Sequence, residues 1–142
     1  MKATESENNI QLSEPVCDFR YLIDIVNGKT YLISGIMDVF LKQVPEDIQC
    51  INEAITNTDY KTIKSYTHTM KSSVSIMGIS ILMPVLMEME NLGIAETDIE
   101  KIKQLNLKLK VICVQAIDEI KKEKLNYNHA ILKKTINKNS KS

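Results

Sequence analysis

Glycine is scarce in this 142-residue chain, and its scarcity removes whole classes of function. Gly28, Gly35, Gly78 and Gly93 are the only four, and each stands alone. A loop that cradles nucleotide phosphates needs clustered glycines so that backbone N–H groups can wrap the anion. A Walker loop, a Rossmann turn and a kinase glycine-rich loop are therefore excluded. Cysteine is as sparse: Cys17, Cys50 and Cys113 lie far apart and none belongs to a CxxC pair, which predicts reduced structural thiols of a cytosolic protein. A charge of one sign is missing too, since Lys+Arg and Asp+Glu are both 18, so no global argument for nucleic acid or a membrane surface arises. No apolar run is long enough to cross a bilayer, and no basic start followed by an apolar core predicts a signal peptide. Period-two alternation is absent as well, which leaves no candidate strand.

What is present is helical spacing. "DFRYLIDIVNG" reads as a short helix capped by Asp18 and stopped at Asn27-Gly28. Thr30 is the expected cap of the next, whose apolar positions Ile33, Met37, Phe40, Val44, Ile48, Ile51 and Ile55 recur every three or four residues. Pro45 falls inside that run and predicts a kink or two abutting helices. Thr58 or Asp59 caps a third helix, with Ile63, Tyr66 or Thr67, Met70, Val74 and Met77 inward and Gly78 as its stop. Ser80 and Pro84 mark the first turn of a fourth that ends near Gly93. Thr97 or Asp98 opens a fifth, with Ile99, Ile102, Leu105, Leu109, Ile112, Ala116 and Ile120 inward. The expected fold is all-α, an antiparallel up-down-up-down four-helix bundle closed at one end by the short first helix. The expected organisation is a flexible N-terminus over 1–14, a bundle domain over 15–126 and a basic, frayed then disordered tail over 127–142.

One face of the third helix breaks the bland pattern. At about 100° per residue, His68 points away from the stripe that Ile63, Met70, Val74 and Met77 form. Ser65, Ser72 and Ser75 share its side, and Lys64 and Lys71 flank it. A solvated face that happens to carry a histidine is the ordinary reading of such a pattern. Other chemistry fits poorly: the helically spaced neighbours are lysine and serine, which are no metal ligands, and a Ser-His hydrolase needs an orienting carboxylate and an oxyanion hole that no nearby residue offers. An anion suits the face better. An exposed imidazole keeps a neutral nucleophilic fraction at cell pH, a lysine one turn away supplies positive charge, and small neighbours leave room. Those are the properties of an imidazole that accepts a phosphoryl group.

The stretch "THTMKSSVSIMGISILMPVLMEME" resembles the signature of histidine-containing phosphotransfer (HPt) domains, approximately H-x-x-K-G-[SA]-x-x-x-x-G with a later L-E pair. His68, Lys71, Ser73 and Gly78 match in spacing, and Met89-Glu90 stands where leucine-glutamate is common. The glycine that should follow the lysine is Ser72 here. The likeness runs over roughly residues 18 to 125. It implies a phosphorelay intermediate that takes a phosphoryl group from a receiver-domain aspartate onto His68 and passes it to another receiver. Under that resemblance Lys71 stabilises the phosphoryl group, Lys64, Ser65, Ser72 and Ser75 form the docking face, and Gly78 is structural. No cofactor of its own is implied, and Mg²⁺ is expected on the partner receiver. The implied partners are response-regulator receiver domains and a hybrid histidine kinase, in the cytoplasm, with no membrane and no nucleic acid.

The remaining features read as ordinary surface or core. His129 lies in the basic tail, the tyrosines occur singly at helix faces and boundaries, and the methionines fall on core stripes apart from Met83 and Met87. Two other readings stay open on the residues: an α-helical adaptor that kept the bundle and lost phosphotransfer, and a nucleic-acid-associated protein using the lysine tail. His68 with Lys71 argues against the first, and the lack of a basic stripe on the folded helices argues against the second.

Overall fold

In a computed structural model the chain is all-α, and the described residues are 14–140, with side chains described through residue 128. The elements are α1 (Arg20–Ile25), α2 (Thr30–Thr56), α3 (Tyr60–Ile76), α4 (Leu82–Ala95) and α5 (Ile99–Ser140). The flexible N-terminus read at 1–14 lies outside the described residues except for Glu14, as do the side chains of His129 and the tail lysines. α2 packs on α3, α3 on α4, α4 on α5, and α5 returns to α2. The space they enclose holds Ile33, Met37, Val44, Ile51, Ile63, Met70, Val74, Leu86, Met89, Ile102, Leu109 and Ile120, all fully buried. Apart from Leu86 and Met89 of α4, these are positions that the three-and-four spacing places inward, because each helix can hide its apolar stripe only against the others. Among the described residues, no helix is long and apolar enough to cross a membrane.

Several boundaries differ from the sequence reading. α1 begins one residue after Phe19, and Asp18 accepts from the Arg20 N–H rather than sitting at the cap position. Thr30 is the first helical residue of α2 and not its cap; Lys29 precedes it and no side chain caps this end. Asn27 and Gly28 both take positive φ, and the Gly28 N–H returns to Ile23 O, so this turn ends α1 as expected. α2 is one continuous helix of 27 residues with Pro45 inside it, not two abutting ones. Pro45 faces solvent, where the carbonyl deprived of its helical N–H is least costly. Asp59 does cap α3, accepting from the Thr62 N–H at 3.2 Å and from the Thr62 hydroxyl at 2.6 Å. The Thr62 hydroxyl and N–H lower the pKa of Asp59.

α4 ends at Ala95, near Gly93 as expected, with Glu96 after it in the left-handed conformation. α5 continues to Ser140, through the stretch whose composition predicts a frayed and disordered tail. A helix already formed extends one hydrogen bond per residue without a new nucleation cost, so a polar, lysine-rich continuation can stay helical.

The segment before α1 is tied across the bundle. Glu119 on α5 accepts from the Val16 N–H at 2.9 Å and the Cys17 N–H at 2.9 Å, and Asp18 N–H donates to Met77 O at 3.1 Å. Leu22 then plugs into the core. Burial pushes the Cys113 thiol up to about 12, and burial together with Glu119 raises Cys17 as well, which disfavours the thiolate at both.

Candidate functional site

α3 carries the site because its core stripe is regular. Ile63, Thr67, Met70 and Val74 are buried, and Thr67 satisfies its hydroxyl by donating to Ile63 O at 2.7 Å. With that face inward, His68 is turned outward and its side chain is 69% exposed. Ser65, Ser72 and Ser75 are exposed on the same side, as the spacing predicts.

The neighbouring helix supplies what the sequence reading did not. Glu90 on α4 reaches across to α3 and places Oε2 2.6 Å from His68 Nδ1 and Oε1 2.6 Å from Lys71 Nζ. Its side chain is only 13% exposed, so the bridge sits in the seam between the helices. Lys71 above all, and then His68, hold the Glu90 carboxyl below its ordinary pKa despite the opposing effect of burial. An ionised carboxylate only accepts, so the proton in the short contact belongs to Nδ1. In the neutral ring this leaves the imidazole lone pair on Nε2, which has no hydrogen-bond partner among the described residues. This corrects the expectation that no carboxylate orients His68. The signal was present as Met89-Glu90, but spacing along the chain does not reveal contact across 22 residues.

A shallow open groove beside the imidazole is lined by Lys64, Ser65, His68, Thr69, Glu90 and Ile94. The Lys64–Lys71 side of His68 is the side on which α4 packs: Gly93 lies against the Lys64 backbone and Glu90 takes Lys71. The side bearing Ser65, Thr69 and Ser72 is open. Of the residues singled out from sequence, the structure thus gathers His68, Lys64, Ser65 and Lys71 around Glu90. Ser72 and Ser75 continue the exposed stripe beyond the groove. Gly78 lies away from it, at the end of α3 with φ +65°, under the Asp18 backbone.

A family model described as the Hpt domain matches residues 35–121. The chain belongs to the Hpt domain family. Comparison with curated proteins returns no match, and neither does comparison with solved structures. The matched span covers α2 from Gly35, all of α3 and α4, and α5 through Lys121, so this Hpt domain contains the whole His68–Glu90–Lys71 constellation. Membership implies involvement in phosphorelay histidine phosphotransfer, and Hpt domains interact with receiver domains of phosphorelay proteins.

Proposed function

We propose that this protein is the histidine phosphotransfer intermediate of a two-component phosphorelay, with His68 as the phosphoacceptor. The observation that carries the reading is the outward imidazole whose Nδ1 is engaged by Glu90, leaving Nε2 as the nucleophile. Nε2 attacks the phosphorus of a receiver's aspartyl phosphate; the N–P bond forms as the aspartyl O–P bond breaks, and the aspartate leaves as carboxylate. The imidazole then carries a proton on Nδ1 and the phosphoryl group on Nε2, and its positive ring is stabilised by the Glu90 carboxylate beside it. The same charge keeps the ring a good leaving group, which suits onward transfer to the aspartate of a second receiver. A hybrid histidine kinase is the expected source of the first receiver, and the setting is the cytoplasm. Charge neutralisation on the partner side falls to that domain's Mg²⁺. Glu90 is a single carboxylate already bridging two cationic or donor groups, which makes it a poor ligand for a metal of this chain's own. The short connections between α2, α3, α4 and α5 support the up-down-up-down course of the bundle, with α1 closing one end.

The direct experiment is incubation with a receiver domain phosphorylated on its aspartate. Label should move to this protein and should survive alkali but not acid, as a phosphoramidate does. A folded protein that binds the receiver and takes no label would instead be an adaptor.

Lys71 is the phosphoryl-stabilising group in this reading. Its ammonium rests on Glu90 and is one helical turn from His68, so it can swing to a phosphoryl oxygen when charge arrives. A charge-assisted hydrogen bond contributes about 1.5–3 kcal/mol, which corresponds to roughly one to two orders of magnitude in rate. Lys71→Ala should slow transfer by that factor while shifting stability by no more than about 1 kcal/mol, because the pair is partly solvated. A wild-type rate in the variant would remove Lys71 from the site.

Ser72 takes the place of the family's glycine on the open side of His68. A receiver must bring its aspartate against the imidazole here, and serine obstructs little. Ser72→Gly should therefore transfer normally and lose some helix stability, about 0.5–1 kcal/mol at most. Ser72→Leu and Ser72→Phe should fold and yet block transfer. Transfer kinetics alongside circular-dichroism melting measure both; normal transfer by the bulky variants would move the docking face away from this stripe.

A further inference from the structure

Gly93 sits inside α4, and its backbone conformation does not call for glycine. A glycine in a helix interior is unfavourable relative to alanine, so its presence there needs another reason. Space is that reason. A Cβ at position 93 would stand 3.1 Å from Lys64 N, 3.2 Å from Lys64 Cβ and 3.2 Å from Tyr60 O. Two of these three atoms are α3 backbone, so no rotamer change relieves the contact, and the helices themselves would have to separate by a few tenths of an ångström.

The place of this contact gives it a consequence for the site. Gly93 follows Glu90 by one turn on the same face of α4, and Lys64 precedes His68 by one turn on α3. Lys64 and Ile94, the neighbours of the contact, also line the groove at His68. We infer that Gly93 is a positioning residue: by letting α4 lie against the Tyr60–Lys64 backbone, it sets how far Glu90 reaches toward His68 and Lys71. The inference rests on the phosphotransfer reading of His68 for its effect on rate, but not for its effect on the imidazole. Any side chain at 93 lengthens both 2.6 Å contacts of Glu90 together, because the carboxylate is anchored to the helix that moves.

A double-mutant cycle over Gly93→Ala and Glu90→Ala tests this, read by the rate of transfer from a phosphorylated receiver. Gly93→Ala should slow transfer several-fold in the otherwise native chain and have no further effect when Glu90 is already alanine. Equal slowing in both backgrounds, or none in either, overturns the inference. Gly93→Val should slow transfer more than Gly93→Ala. Should either variant lose helicity, Gly35→Ala is added in the same chain. Gly35 is exposed in α2 with nothing within 4 Å of a Cβ, so alanine there stabilises the helix without touching the site. Imidazole ¹⁵N spectra give a second readout that needs no transfer. Neutral His68 should carry its proton on Nδ1 in the native chain and shift toward the mixture of a free imidazole in Gly93→Ala. If no chain takes label, the phosphotransfer reading falls, and the ¹⁵N pattern alone decides the role of Gly93: an unchanged pattern in Gly93→Ala overturns it.

Discussion

His68→Gln is expected to abolish acid-labile phosphorylation completely while leaving the fold intact. The imidazole is the nucleophile in the proposed reaction, and glutamine offers no lone pair of comparable nucleophilicity. Its amide is nevertheless close in length and can still donate to Glu90, and Lys71 continues to hold the other oxygen of that carboxylate. With a side chain 69% exposed, the substitution should change stability by no more than about 0.5 kcal/mol. Incubation with a phosphorylated receiver, followed by autoradiography before and after acid treatment, measures the first part, and thermal melting by circular dichroism measures the second. Label retained on the variant, for instance on His129, would sink the assignment of His68.

The largest effect on stability is expected from Gly78→Ala. Gly78 has φ +65°, where an L-residue is strained by about 1–2 kcal/mol. Sterics add to this, because a Cβ would overlap the Asp18 carbonyl oxygen and stand 2.8 Å from its carbon. Backbone cannot yield by rotamer change, so the segment that crosses the end of α3 must lift. Its displacement would break the Asp18 N–H bond to Met77 O and loosen Val16 and Leu22, which are buried behind it. Summing strain, one buried hydrogen bond and partial exposure of two apolar side chains leads to a loss of about 4 kcal/mol. For a chain of this length the melting temperature should fall by roughly 10–15 °C. His68 lies more than two helical turns from Gly78, so the folded fraction of the variant should still take label. A melting temperature within about 2 °C of the native value would show that the crossing segment contributes nothing there.

Helical periodicity is a property of one chain segment about its own axis, and whatever depends on that axis alone was legible in the sequence. Ile63, Met70 and Val74 are inward and His68 outward because 3.6 residues per turn allow no other arrangement once the apolar stripe is buried. The stop at Gly78, the cap at Asp59 and the resemblance of the His68, Lys71 and Gly78 spacing to the Hpt signature belong to the same local level. The capping expectation failed at Thr30, where a favourable residue sits inside the first turn rather than before it. The meeting of Glu90 with His68 and Lys71 was not legible. Which residue of α4 faces His68 depends on the axial shift, rotation and separation of two helices, and those are set by packing over the whole core rather than by spacing within either helix. Gly93 shows the same limit in the other direction. As a letter it only marks that a helix ends nearby, and the proximity of the α3 backbone reveals that α4 needs the missing side chain at this position. The sequence by itself therefore determined the all-α class and the outward histidine with its lysine, since both follow from local periodicity and chemistry. Tertiary structure alone decided the carboxylate that orients the imidazole and the spacing of the helices that carry them, because contacts across a seam are fixed by how side chains interlock throughout the bundle.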